Sequence, residues 1–149
     1  MARFLDRLDL RLMGRKQWMT LAPLHYESDV AQRVITVPAE FITDLASTPR
    51  FPVTYLIAGD RAPGPAVVHD LLYMHPDWED RHMADAILLE AMAVNQPELG
   101  FEAEAAPIRG LMWSAVRSFG WIPWRRHGKR AANLNPIWTA TAWPEVQAV

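Results

Sequence analysis

The sequence predicts an α+β fold, in which a small N-terminal antiparallel sheet is followed by three helices and an irregular, tryptophan-rich C-terminal tail. Residues 1–50 carry short β-type segments between turns, residues 65–119 carry apolar residues at helical spacing, and residues 121–149 are rich in proline and tryptophan. A chain of 149 residues has the usual length of one domain. We therefore expect a single domain over 1–149, with the tail packed against it.

The N-terminal sheet is predicted from three segments. Leucine alternates with charged residues over 8–12, which indicates a strand with one apolar face, and Gly14 marks the turn that follows. Residues 17–21 form a second candidate strand. The β-branched run at 34–37 is a third, and it ends near Pro38 because proline cannot donate a backbone hydrogen bond.

The first helix is predicted over about 65–75. Prolines suit its first turn, and residues 66–72 are apolar on every face apart from His69 and Asp70. A helix that is apolar all round is usually buried. We therefore expect this helix to lie inside the domain, with His69 and Asp70 as its polar exceptions.

Two further helices are predicted over about 80–94 and about 103–119, from apolar residues three and four positions apart. Gly120 is expected to end the last of them. The tail at 121–149 contains four tryptophans. Because such a tail rarely stays in solvent, we expect it to pack on the domain or on a partner.

The composition disfavours several classes of protein. The chain has no cysteine, which excludes disulfides, thiolate zinc sites and thiol nucleophiles. Its net charge of −2 argues against nucleic-acid binding as the main task. No run of about 18 apolar residues occurs, so we expect no membrane span. A protein partner is therefore favoured over nucleic acid.

The candidate chemistry centres on His69, Asp70 and Asp85. A buried carboxylate must be paired, bind a metal or be neutralised, and the helical neighbours of Asp85 are apolar at +3, +4 and +7. Imidazole and carboxylate ligands suit zinc, manganese or iron, and such a metal would activate water. This predicts a catalytic role for the three residues and a divalent metal held by them together with Asp44.

A structural alternative remains open. The same acids can instead pair with arginines, and the candidates are Arg50, Arg81 and Arg117. His69 can satisfy a backbone carbonyl, and a buried ion network can specify a fold without doing chemistry. Ser47 is a candidate nucleophile, but it lacks the Gly-x-Ser-x-Gly turn of hydrolases, so a role as a helix cap is favoured.

A second candidate surface lies on the third helix, where arginine and tryptophan recur every four residues and continue into the tail. Its residues are Arg109, Trp113, Arg117, Trp121 and Trp124. Arginine and tryptophan together are typical of protein interfaces, although they also stack on bases or form cation–π contacts inside a fold. The net negative charge ranks a protein partner above nucleic acid.

Four segments, taken in order, are similar to a known family. They are TVPAEFITDLASTPR at 36–50, HDLLY at 69–73, RHMAD at 81–85 and AVRSFG at 115–120. Together they resemble a family of small proteins common in tailed phages and prophages, catalogued as domain of unknown function 1353, over roughly residues 8–120. The family usually has glycine where this chain has Glu40.

The resemblance implies a phage origin and a shared set of polar positions. These are Asp44, Ser47, Arg50, His69, Asp70, Tyr73, Arg81 and Asp85. Arg50 and Arg81 then become the partners of the three acids, with Ser47 and Tyr73 in the supporting network. The resemblance also implies a phage or host protein as partner, and a location in the host cytoplasm or the virion. It supplies no activity.

Two functions follow as the main hypotheses. The first is a phage-encoded, hydrolase-like domain, metal-dependent or acid–base, acting on cell-wall peptide or on a phosphoester. The second is a virion or tail accessory protein, in which the polar cluster is a buried charge network and the arginine–tryptophan surface is the interface. A host-directed inhibitor that acts by binding is a third hypothesis.

Overall fold

A computed structural model describes residues 1–15, 17–43, 62–76 and 78–119. Within these residues the chain forms β1 (Arg3–Phe4), β2 (Leu10–Gly14), β3 (Gln17–Thr20), β4 (Leu24–Ser28), β5 (Arg33–Val37), β6 (Ile42–Thr43), α1 (Pro63–Met74), α2 (Arg81–Val94) and α3 (Ala106–Phe119). A short 3₁₀ helix, Pro97–Leu99, connects α2 to α3. The predicted α+β class is confirmed.

The six strands form two antiparallel sheets. One has the order β1-β4-β5 and the other the order β2-β3-β6. The three predicted strands correspond to β2, β3 and β5, whereas β1, β4 and β6 lie outside the predicted segments. The sequence indicated one sheet, and the structure has two because β3 pairs with β6 rather than with β4.

All three predicted helices are confirmed, with ends that differ from the predictions by a few residues. Proline stands in the first turn of α1, as its fixed backbone angle allows. Asp80 caps α2, because its carboxylate accepts a hydrogen bond of 2.8 Å from the backbone N–H of Met83. Among the described residues, no helix has the length and apolar character needed to cross a membrane.

The hydrophobic core forms around α1, which packs against β5 on one side and α2 on the other. Its fully buried side chains come from both layers and include Tyr26, Ile35, Val37, Phe41, Val67, Val68, Leu71, Leu72 and Ile87. Burying each such side chain contributes about 1.5–3 kcal/mol. The expectation that α1 is buried is confirmed, and His69 is therefore held in the interior, while Asp70 is only half-buried.

A carboxylate on α2 also ties this helix to the first sheet. Glu90 accepts hydrogen bonds from the Tyr26 hydroxyl at 2.9 Å, the Ser28 hydroxyl at 2.7 Å and the backbone N–H of Val30 at 2.9 Å. Burial, followed by the nearby Glu90 carboxylate, raises the pKa of Tyr26. These hydrogen bonds fix α2 against β4. They thereby help to set the position of Asp85, a second acid of α2 that lies in the interior.

Candidate functional site

The centre of the candidate site is Asp85 on α2, whose side chain is fully buried. Its Oδ1 accepts a hydrogen bond of 2.6 Å from the Tyr73 hydroxyl and lies 3.2 Å from Nε2 of His69. His69 and Tyr73 are four residues apart on α1, so both project from the same face of that helix. The two rings lie 4.0 Å apart between centroids. One carboxylate oxygen thus holds two aromatic side chains in place.

The hydrogen bond to Asp85 also assigns the proton of His69. A carboxylate only accepts hydrogen bonds, so the nitrogen that faces it, Nε2, must carry the hydrogen. No residue in the described part of the chain forms a hydrogen bond with the other ring nitrogen, Nδ1. In the neutral ring Nδ1 is therefore an acceptor that can take a proton from another molecule.

The second oxygen of Asp85 faces two guanidinium groups. Its Oδ2 lies 3.9 Å from Nη1 of Arg81 on the same helix and 3.8 Å from Nη1 of Arg117 on α3. At these distances the groups form ion pairs, but they are too far apart for hydrogen bonds. Arg81 also donates to the backbone carbonyl of Arg117 at 3.2 Å. The cluster therefore joins all three helices and brings two cations to one anion.

Burial gives Tyr73 a definite protonation state. Desolvation, followed by the charge of Asp85 and the hydrogen bond to it, raises the pKa of the Tyr73 phenol, and the two arginines oppose the shift only in part. The hydroxyl consequently stays protonated and remains a donor to Asp85. Tyr73 therefore positions the carboxylate and is not a proton acceptor at neutral pH.

Asp70 contacts the second sheet. Its carboxylate accepts a hydrogen bond from the Thr43 hydroxyl at the end of β6. Neighbouring residues on a helix point about 100° apart, so the side chain of Asp70 leaves α1 in a different direction from that of His69. The structure brings His69, Tyr73, Arg81 and Asp85 together and directs Asp70 to the sheet.

Several predicted residues fall outside the described part of the chain. These are Asp44, Ser47, Arg50, Trp121 and Trp124. Thr43 immediately precedes this stretch and was not predicted as part of a site. Only its place beside the polar motif at 44–50 could have indicated it. Arg117 was one of three arginines predicted as possible partners of the buried acids, and the structure places it beside Asp85.

The described donor groups do not fit a divalent metal at Asp85. No group of three or more histidines and acids in the described ranges is arranged to hold a metal ion. Oδ1 of Asp85 already accepts two hydrogen bonds, and Oδ2 faces two guanidinium groups that would repel a cation. The arrangement can instead orient an imidazole and present positive charge, which are the components of acid–base chemistry on an anion.

Three residues of the predicted arginine–tryptophan surface, Arg109, Trp113 and Arg117, lie on α3. Trp113 is 40% exposed, and the guanidinium carbon of Arg117 lies 5.8 Å from the centroid of its ring. Arg117 thus connects this surface to the buried Asp85. Arg109 lies one helical turn before Trp113 and lines a shallow groove of about 470 Å³ between α2 and α3.

The fold and the site define a class of protein: an α+β domain built around a buried helix, with a histidine and a tyrosine fixed on one buried aspartate. The chain belongs to the family described as "Protein of unknown function (DUF1353)", whose pattern matches residues 18–116. This confirms the family resemblance. No curated protein and no solved structure matches the chain.

Proposed function

We propose that this protein is a hydrolase-like enzyme that uses His69 as a general acid–base and needs no metal at Asp85. One observation carries the proposal: a fully buried carboxylate holds Nε2 of His69 at 3.2 Å, while no described residue bonds to Nδ1. A carboxylate that fixes the tautomer of an imidazole and stabilises its protonated form is the arrangement that general bases require. Asp85 and Tyr73 are positioning residues in this account.

The substrate is an anion, and a phosphoester fits better than a cell-wall peptide. Arg81 and Arg117 place guanidinium nitrogens 3.9 Å and 3.8 Å from Oδ2 of Asp85, so two positive charges lie on this side of the cluster. The side chains of Arg81 and Arg117 are 20% and 24% exposed, so neither is fully enclosed by the described part of the chain. Arginine suits phosphate because its planar fork matches two phosphate oxygens.

The proposed reaction is the attack of water on phosphorus. Nδ1 of His69 takes one proton from the water as its oxygen forms a bond to phosphorus, and the resulting imidazolium is stabilised by Asp85. The bond to the ester oxygen breaks, and that oxygen receives the proton from Nδ1, so the ring returns to its starting state. The arginines stabilise the charge that develops on the phosphoryl oxygens. General acid–base catalysis of this kind contributes about 10²–10⁴-fold in rate.

The proposal is tested with the full chain and two chromogenic probes, p-nitrophenyl phosphate and bis(p-nitrophenyl) phosphate. We expect hydrolysis of at least one probe in the presence of EDTA, and a loss of about 100-fold or more in His69→Gln. The matched control is His25→Gln, because His25 also contacts an aspartate, Asp6, but at a half-exposed surface position. Its activity should equal that of the wild type.

Three results would refute the proposal. Absence of hydrolysis of both probes by the folded wild type removes the phosphoester assignment. Equal activity in His69→Gln and the wild type removes His69 from the chemistry. If activity disappears with EDTA and returns with a divalent ion, the metal-dependent hypothesis replaces the metal-free one.

A second candidate function, a virion or tail accessory protein, is favoured by a different observation. The Asp85 cluster ties α1, α2 and α3 together, as a network that specifies a fold would, and α3 exposes Leu111 and Trp113. In this case the arginine–tryptophan surface contacts a phage or host protein. Mass spectrometry of purified virions from a strain that encodes the protein tests it, because an accessory protein must be found in them.

A further inference from the structure

The strand β2 forms an open edge of the second sheet. The order of this sheet is β2-β3-β6, so in the described part of the chain only one side of β2 is paired. Leu12 and Met13 are 58% and 51% exposed, and the strand is exposed along four of its five residues. An exposed apolar edge strand is a template for pairing with another strand.

The backbone groups that face this open edge can be identified. The N–H of Leu21 donates to the carbonyl of Asp9 at 2.9 Å, so the backbone of Asp9 points toward β3. Backbone groups alternate sides along a strand, so those of Leu10 and Leu12 point away from β3. The pairing of Thr20 with Phe41 on the far side of β3 agrees with this alternation, because Thr20 lies opposite Leu10.

We propose that a second copy of this chain occupies the open edge, with the two β2 strands antiparallel and Leu12 opposite the partner's Leu12. Leu12 is the middle residue of β2, and its outward N–H and carbonyl can exchange two hydrogen bonds with the same groups of the partner. Such a contact is isologous and closes as a twofold dimer. Trp18, the cross-strand neighbour of Leu12, extends the apolar face of the contact.

The charges beside β2 select this register. Asp9 and Arg15 lie three residues on either side of Leu12, just beyond the two ends of β2, so each Asp9 comes to the same end of the contact as the partner's Arg15. Both side chains are exposed and form no ion pair with described residues. A register centred on Arg11 would place like charges opposite each other. One centred on Leu10 would need a strand over 6–9, which precedes β2.

A bulge between Leu12 and Gly14 limits the regular ladder to the middle of the strand. The contact is therefore short, and its affinity depends on Leu12 at the centre and on the two charged pairs at the ends. The association should accordingly weaken with added salt, since exposed charges are screened. The dimer is independent of the chemistry proposed for His69.

Sedimentation of the full chain over a range of concentrations at low salt tests the dimer. The wild type should show a monomer–dimer equilibrium, which Leu12→Asp should abolish. Leu111→Asp is the matched control because Leu111 on α3 is 55% exposed, nearly as much as Leu12. It should leave the equilibrium unchanged. A wild type that is monomeric throughout, or equal effects of the two changes, overturns the proposal.

A charge exchange tests the register itself. Arg15→Asp replaces both opposite-charge pairs of the contact with pairs of acids and should weaken the dimer about 10-fold, since exposed charged pairs contribute only modestly. The double variant Asp9→Arg with Arg15→Asp recreates both opposite-charge pairs and should restore wild-type affinity. Failure to restore it, in variants with unchanged circular dichroism, overturns this register.

Discussion

The Tyr73 hydroxyl donates a hydrogen bond of 2.6 Å to Oδ1 of Asp85, across the contact between α1 and α2. The same oxygen lies 3.2 Å from Nε2 of His69. Tyr73 therefore fixes the position of the carboxylate, and the carboxylate fixes the ring of His69. Substitutions of Tyr73 or Asp85 should therefore affect the stability of the fold, whereas substitution of His69 should affect the proposed acid–base chemistry.

Replacing Asp85 with asparagine should strongly destabilise the fold. The change removes the counter-charge of Arg81 and Arg117 and places an amide that carries donor hydrogens beside the donors from α1. Removing one partner of a buried ion pair costs about 3–5 kcal/mol of stability. We expect a loss near the lower end of this range because the side chains of both arginines are partly exposed. Urea unfolding of Asp85→Asn measures the loss.

The control for that measurement is Glu98→Gln, which removes an exposed acid from the 3₁₀ helix. Its free energy of unfolding should stay within about 0.5 kcal/mol of the wild type. An Asp85→Asn variant that is as stable as this control would show that the cluster contributes nothing to the fold.

The raised pKa of Tyr73 predicts a loss of stability at alkaline pH. An unfolded tyrosine ionises near pH 10, and burial beside Asp85 raises the pKa in the folded state. The contribution is therefore complete below about pH 10 and decreases as the pH rises above that value, because the unfolded chain then releases a proton that the folded chain retains. The pKa of Tyr26, beside Glu90, is also raised, so Tyr26 should contribute a further loss of stability at alkaline pH.

The measurement is the urea midpoint from about pH 8 to about pH 11 for the wild type, Tyr73→Phe and Tyr26→Phe. Each variant should lose less stability over this range than the wild type does. Three parallel pH profiles would mean that neither phenol is held protonated by the fold.

Gly64, at the start of α1, is closely surrounded by other side chains, so we expect a larger residue at this position to destabilise the fold. A Cβ at this position would lie 2.8 Å from Oε1 of Gln96 and 3.2 Å from the ring of Phe4. Gln96 is fully buried and donates to the carbonyl of Asp6 at 2.8 Å, so it cannot move without losing that bond. Gly64→Ala should destabilise the protein by about 1–3 kcal/mol.

Gly110 in α3 provides the matched control, because a Cβ there meets no atom within 4 Å. Gly110→Ala should stabilise by up to about 1 kcal/mol, since alanine favours a helix more than glycine does. Thermal unfolding of the two variants should therefore shift in opposite directions. A shift in the same direction would contradict the described packing around Gly64.

The helices were predictable because their signals are local. Apolar spacing and terminal prolines lie within each segment, so α1, α2 and α3 could be placed to within a few residues. Strands β1 and β6 have two residues each, which is too short for any period to be read. Strand β4 does alternate in burial, but buried Ser28 and half-buried His25 obscure its apolar face in the sequence.

The candidate site was predictable in part for the same reason. The apolar neighbours of Asp85 on its own helix indicated that it is buried, and its burial is confirmed. Asp70 follows His69 directly and so leaves α1 about 100° away from it, and its contact with Thr43 at the end of β6 depends on tertiary packing that the sequence does not show. Arg117 was predicted only as one of three possible arginine partners, because the choice among them depends on how α3 packs against α2, which a single sequence does not show.

We expect Asp85 to hold His69 with Nε2 protonated and to leave Nδ1 as the proton acceptor. Long-range ¹H–¹⁵N NMR spectroscopy of the histidine rings in the full chain tests it most directly, with the His69 signals assigned from the spectrum of His69→Gln. We predict a protonated Nε2 and an unprotonated Nδ1 for the neutral ring. A neutral ring with its hydrogen on Nδ1 would contradict the claim.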